Sequence, residues 1–124
     1  VRLLVTDILE AIEKAERYTA GLSFEQFAAN DMAVDAVVRN LEIVGEAARY
    51  IPPEWRERYS GIDWTRVVGF RNIVIHAYFA VDVEIVWTIA QERLADLKMV
   101  LQRMLHDMDA EEQTANSELR PSQG

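Results

Sequence analysis

Only two histidines occur in the chain, and one of them, His76, lies in the segment FRNIVIHAYF, residues 70 to 79. Arg71, Asn72 and Tyr78 stand close to it in a stretch otherwise apolar enough for a core. These side chains suit cleavage of a phosphodiester in RNA. An imidazole with a pKa near about 6.5 moves protons at neutral pH, worth roughly 10² to 10⁴ in rate. Its natural target is the ribose 2′-hydroxyl, which attacks the adjacent phosphorus. A guanidinium neutralises charge building on the phosphoryl oxygens, and an asparagine amide orients substrate or histidine. None of this requires a metal.

Taken singly, each residue has an ordinary reading. A histidine near a helix end is often a cap or a satisfied core group. Tyr78 alone would pack with its hydroxyl at the rim, and Arg71 alone would be an exposed charge or an ion-pair partner. On a regular helix Asn72 and His76 share a face, whereas Arg71 and His76 lie about 140° apart. The two converge on one cleft if the helix ends near His76 or the arginine stem swings round.

The scaffold that must aim these groups reads as helical. With 124 residues, half of them hydrophobic, the chain fits one domain with a sizeable core. Glycine and proline number only 5 and 3, which leaves few sites for tight β-turns. There is no cysteine, which excludes disulfides and thiolate chemistry, and two histidines make a His-rich metal site improbable. No metal or cofactor is expected. No apolar run approaches the roughly 20 residues of a membrane span and no signal-peptide pattern opens the chain, so a cytoplasmic protein is expected.

The net charge of −8 opposes a general DNA binder, although its distribution softens that objection. Asp107, Asp109, Glu111, Glu112 and Glu118 face only Arg120 near the C-terminal end. Among the bases, 11 arginines outnumber 2 lysines, and arginine's planar fork suits phosphate. A small arginine-lined site is compatible with this balance.

Apolar positions recur at helical spacing almost throughout. Leu4, Ile8, Ile12 and Ala15 line a first helix closed by Gly21. SFEQ reads as a capping box from Ser23 to Gln26, with Leu22 and Phe27 at staple spacing. Asn30 or Asp31 caps a longer helix with Val34, Val37 or Val38, Leu41, Val44 and Ala48 inward, ended by Pro52 and Pro53. EWRERY forms a short helix. Asp63 caps another that leads through Trp64, Val67 and Val68 into the motif. Asp82 caps the last, with Val86, Ile89, Leu94, Leu97, Val100 or Leu101, and Met104 as its stripe. VRLLV and IVI alone are ambiguous between helix and strand. The expected fold is all-α, an antiparallel up-and-down bundle of four long helices plus short ones over residues 1–108. Residues 109–124 read as a polar, acidic, flexible tail.

Three separated blocks, DILEAIEKAERYTAGLSFEQF, DAVVRNLEIVGEAA and GFRNIVIHAYFAVDVEIVW, resemble the HepT-like branch of the HEPN superfamily over about residues 6 to 105. In these toxins an R-x4-H-x-Y motif marks the active site. The resemblance places its arginine, polar, histidine and tyrosine positions on Arg71, Asn72, His76 and Tyr78. It implies a HEPN-like bundle forming a homodimer whose two motifs share a cleft. It implies an endoribonuclease acting on RNA, the toxin of a type II toxin–antitoxin pair. The implied partner is a minimal nucleotidyltransferase antitoxin, which transfers AMP from ATP to Tyr78 and silences the site. The alternative is a non-catalytic dimer that serves as an AMPylation target and interaction or nucleotide-binding partner. A third reading, an ordinary bundle with a buried histidine, leaves the polar set unexplained.

Outside the motif, Arg39 and Asn40 resemble a second family feature that could line the cleft, or else Arg39 pairs with Glu42, Glu46 or Asp35. Gly45 and Gly69 suggest close helix approach, at a dimer seam or beside the cleft. Trp55, Trp64 and Trp87 read as core or interface anchors before base-stacking platforms. His106 reads as a favourable charge near the end of the last helix.

Overall fold

The computed structural model describes residues 1–72 and 82–119. Helix α1, Arg2–Thr19, buries Val5, Ile8, Ile12 and Ala15 completely, which settles VRLLV as helical. Gly21 follows with φ +75°, a left-handed conformation that glycine adopts without steric cost. The capping box at α2, Phe24–Ala28, is fully formed. The Gln26 amide donates to Ser23 Oγ at 3.1 Å, and the Ser23 amide donates to Gln26 Oε1 at 2.9 Å.

Asn30 caps α3, Asp31–Ala48, by accepting from the Ala33 amide at 3.0 Å. Pro53 then opens α4, Pro53–Arg58, at a position where its missing N–H costs nothing. Asp63 caps α5, Trp64–Val68, and Asp82 caps α6, Val83–Thr88. A π turn, Ile89–Arg93, leads into α7, Leu94–Leu119, with the Leu94 amide donating to the Ile89 carbonyl five residues back. The described chain is all-α, as expected.

Ion pairs near the two ends of α1 fix its direction against α7. Arg2, at the start of α1, pairs with Asp109 and Glu112, whereas Glu16 near its end pairs with Lys98 at 3.0 Å. The helices therefore run antiparallel. Between them and α3 lies one continuous core that includes Phe27, Leu41, Val44, Leu94, Leu97, Leu101 and Met104. The tryptophans belong to this packing. Trp87 sits 5.1 Å from Phe27, Trp55 stacks on Tyr59, and buried Trp64 donates to the Tyr59 carbonyl.

Two expectations about helix ends are corrected. The helix capped by Asp63 does not run unbroken into the motif: α5 ends at Val68, Gly69 caps it, and a fresh helical turn starts at residues 70–72. The Gly69 amide donates to Thr65 and its carbonyl accepts from Asn72, so glycine redirects the chain between two turns. The last helix, expected to fray near Met108, continues to Leu119. Its acids meet bases and a phenol supplied by other helices. Arg2 takes Asp109 and Glu112, Arg58 takes Glu111, and the Tyr59 hydroxyl donates to Asp107 at 2.6 Å. Burial pushes the Tyr59 phenol up to about 12, and its bond to Asp107 adds to the shift. His106 consequently stands exposed inside α7 rather than near a helix end.

Candidate functional site

The first half of the motif is built on a helix crossing. Gly45 lies where α3 meets the turn at residues 70–72, and a Cβ there would come within 2.8 Å of the Arg71 amide nitrogen and 3.1 Å of the Val68 carbonyl oxygen. Only a residue without a side chain lets the two backbones come this close. The close approach inferred for Gly45 is thus real, and it seats Arg71 within one chain. Gly69 has a different role, since a Cβ there would meet only the carbonyls of its own turn.

Phe70 is buried and anchors the turn, while Arg71 is half-exposed and Asn72 exposed. The Arg71 guanidinium approaches α3 through Nε, 3.2 Å from Glu46 Oε2. The other oxygen of Glu46 lies 3.8 Å from Arg49 Nη1, and the Arg49 guanidinium rests over the Tyr50 ring. One carboxylate thus stands between two guanidiniums. Among the described residues no other carboxylate pairs with Arg71.

Arg39 and Asn40 sit one to two turns earlier on α3. Together with Asp7, Glu10, Lys14 and Glu46 they line a groove of about 420 Å³ between α1 and α3. Arg39 pairs with Glu42 at 3.4 Å, the local partner that spacing allowed. Asn40 is buried and donates to the Ala36 carbonyl at 2.8 Å, so its amide N–H supports the helix. Glu46 joins this groove to Arg71. A second hollow, of about 540 Å³, lies beside Phe70 and is lined by Arg66, Asp82, Glu84, Thr88 and Arg93. Two acids and two bases stand among its described lining residues.

His76 and Tyr78 lie outside the described residues, and their convergence with Arg71 remains an expectation from the motif. Glu46 is the residue that sequence reasoning did not connect to Arg71. By position in the sequence Glu46 is a partner for Arg39, on the same helix. The available signal was Gly45: a glycine inside a helix marks a crossing, and the residue beside it stands at that crossing.

The described fold is all-α and presents an arginine and an asparagine from a turn seated on a glycine crossing. The family model described as "Ribonuclease HepT-like" matches residues 8–104, and the chain belongs to that family of the HEPN superfamily. It is similar to "Putative RNase MJ1380" of Methanocaldococcus jannaschii, at 39% identity over 79% of this chain and 90% of that protein. It is also similar to "Probable ribonuclease HepT" of Thermococcus cleftensis, at 40% identity over 74% of this chain and 84% of that protein. "Putative RNase MJ1216" of M. jannaschii matches at 31% identity over 93% and 95% of the two chains. No solved structure matches. By family, then, the chain is a ribonuclease. Among the described residues no helix is long and apolar enough to cross a membrane.

Proposed function

We propose that the chain is the toxin of a type II toxin–antitoxin pair, a metal-independent endoribonuclease that acts in the cytoplasm as a homodimer. The observation that carries this reading is Arg71. Its guanidinium stands half-exposed on a rigid crossing, five residues before His76, in a chain of a ribonuclease family. In the proposed reaction His76 takes the proton of a ribose 2′-hydroxyl as that oxygen attacks the neighbouring phosphorus. The bond from phosphorus to the 5′-oxygen breaks, which leaves a cyclic phosphate on one fragment and, after protonation, a 5′-hydroxyl on the other. Arg71 stabilises the charge on the phosphoryl oxygens, and Asn72 orients the substrate or the imidazole. The second copy of the motif would complete the cleft and raise its positive potential above that of an acidic chain.

Regulation falls to Tyr78. A minimal nucleotidyltransferase antitoxin transfers AMP from ATP to its phenol oxygen, with release of pyrophosphate. The resulting phosphodiester puts bulk and negative charge where RNA phosphate binds, so inhibition needs no refolding. Two measurements test the reading. Purified protein free of AMP should cut RNA, and His76→Ala should abolish both cleavage and growth arrest while the dimer survives. Intact RNA after incubation with the unmodified protein would favour a non-catalytic AMPylation target. After co-expression with the antitoxin, intact mass should rise by whole AMP units, and Tyr78→Phe should erase that rise. A persisting mass shift would place the acceptor elsewhere.

A further inference from the structure

We propose that Glu46 is a positioning residue for RNA cleavage: its carboxylate, in an ion pair with the Arg71 guanidinium, fixes where that charge stands relative to the phosphate. The inference rests on Arg71 serving cleavage as described above. Its basis is a contact between distant parts of the chain. Glu46 belongs to α3, an 18-residue helix whose inner face is buried, and it reaches Arg71 on the turn that Gly45 admits against that helix. Arginine carries its charge on a planar group at the end of a flexible stem, so its usefulness at a reacting phosphate depends on what fixes the plane. A carboxylate 3.2 Å from Nε restrains the group from the stem side by ion pairing. Among the described residues no carboxylate pairs with Nη1 or Nη2.

Stability alone is a poor explanation for this pair. The Arg71 and Glu46 side chains are 41% and 44% exposed, and ion pairs so open to water contribute about 0–1 kcal/mol. Simple charge compensation is no better, because a carboxylate beside a phosphate site repels the substrate. Glu46 therefore acts against RNA affinity while improving the aim of the guanidinium. That opposition gives the idea a signature that a structural role would not produce.

The experiment compares Glu46→Gln with wild type on total cellular RNA, using the purified full chain free of AMP. Glu46→Gln keeps the side chain's size and removes its charge. The expected result is a kcat lower by about tenfold, a KM equal to or below wild type, and a melting temperature within about 2 °C. Arg71→Lys supplies the second arm, since lysine keeps the charge but has no Nε. Under single-turnover conditions, adding Glu46→Gln to Arg71→Lys should change the rate by less than about twofold. A wild-type kcat in Glu46→Gln, a raised KM with unchanged kcat, or an equal loss in the Arg71→Lys background would each overturn the proposal. If Arg71→Ala itself cuts RNA as fast as wild type, the parent reading falls and this one with it. Full loss in Arg71→Ala beside normal turnover in Glu46→Gln removes only the role given to Glu46.

Discussion

Arg56 and Arg71 both engage the last turns of α3, yet they spend their donors in opposite ways. Arg56 gives Nε to the Ile51 carbonyl at 3.0 Å, and Nη2 to the carbonyls of Ala48 and Arg49 at 2.8 and 2.9 Å. It satisfies acceptors left open where the helix ends and sets a positive charge against the negative pole of the helix. Arg71 meets one half-exposed carboxylate near its stem. A guanidinium whose donors are taken up by main-chain oxygens is part of the scaffold. One that meets, among the described residues, a single carboxylate beside Nε keeps capacity for an incoming anion. Arginine content alone does not distinguish the two; the acceptors around each do.

The sharpest way to break this comparison is to truncate each arginine in turn. Arg71→Ala should lower RNA cleavage by at least about 100-fold, the scale of removing one donor to a developing oxyanion. Its chemical unfolding midpoint should barely move. Arg56→Ala should do the reverse. Loss of charged donors to partly buried carbonyls should cost about 2 kcal/mol in urea unfolding, while turnover per folded molecule stays intact. Equal activity losses in both would dissolve the distinction. Gly45→Ala should join the two effects, because a methyl group at that crossing forces the Arg71 backbone away. Overpacking of this kind costs about 1–3 kcal/mol, and cleavage should fall with it even at temperatures where the variant stays folded.

Local signals in the sequence translated well into structure. Ser23, Asn30, Asp63 and Asp82 each cap the helix that follows, because a cap depends on neighbours three residues away. The buried stripes of α1 and α3 follow their helical spacing for the same reason. What escaped depends on distant partners. The polar end of α7 looks like a tail when read alone; Arg2, at the start of α1, and the adjacent Arg58 and Tyr59 hold its acids. Helical spacing makes Gly69 a packing glycine inside a helix, whereas its turn ends one helix and lets another begin. In the site, Arg71 and Asn72 were legible through the motif, but the tie between Arg71 and Glu46 was not. No periodicity links position 46 to position 71, and the crossing that does exists only once α3 and α5 have packed.

A third region sharpens the contrast between scaffold and site at lower cost. Tyr59 is buried and donates to Asp107, and its phenol titrates near 12 rather than the usual value near 10. The folded state therefore holds this proton more tightly than the unfolded chain does. Its contribution to stability is whole below about pH 10 and is lost as pH rises toward 12. Tyr59→Phe should cost about 1 kcal/mol near neutral pH through the missing hydrogen bond. It should also flatten that part of the alkaline decline in urea-derived stability between pH 10 and 12. An unchanged alkaline profile would mean that another group controls it.

The smallest effect belongs to Arg39, and it tests the comparison where that is weakest. Arg39 pairs with Glu42 one turn along α3 and is 69% exposed. Such a pair contributes a few tenths of a kcal/mol and is screened by salt. Arg39→Ala should change stability by less than about 0.5 kcal/mol, and any difference should vanish in about 1 M salt. Yet Arg39 lines the same groove as Glu46, and its one ion-pair partner among the described residues, Glu42, is open to water. By the criterion that separates Arg71 from Arg56, Arg39 is also only half committed. If Arg39→Ala leaves RNA cleavage untouched, partial commitment alone does not make an arginine functional, and the motif turn is what counts. If cleavage falls tenfold at unchanged stability, the substrate path extends from Arg71 along the groove between α1 and α3, with Glu46 at its bend.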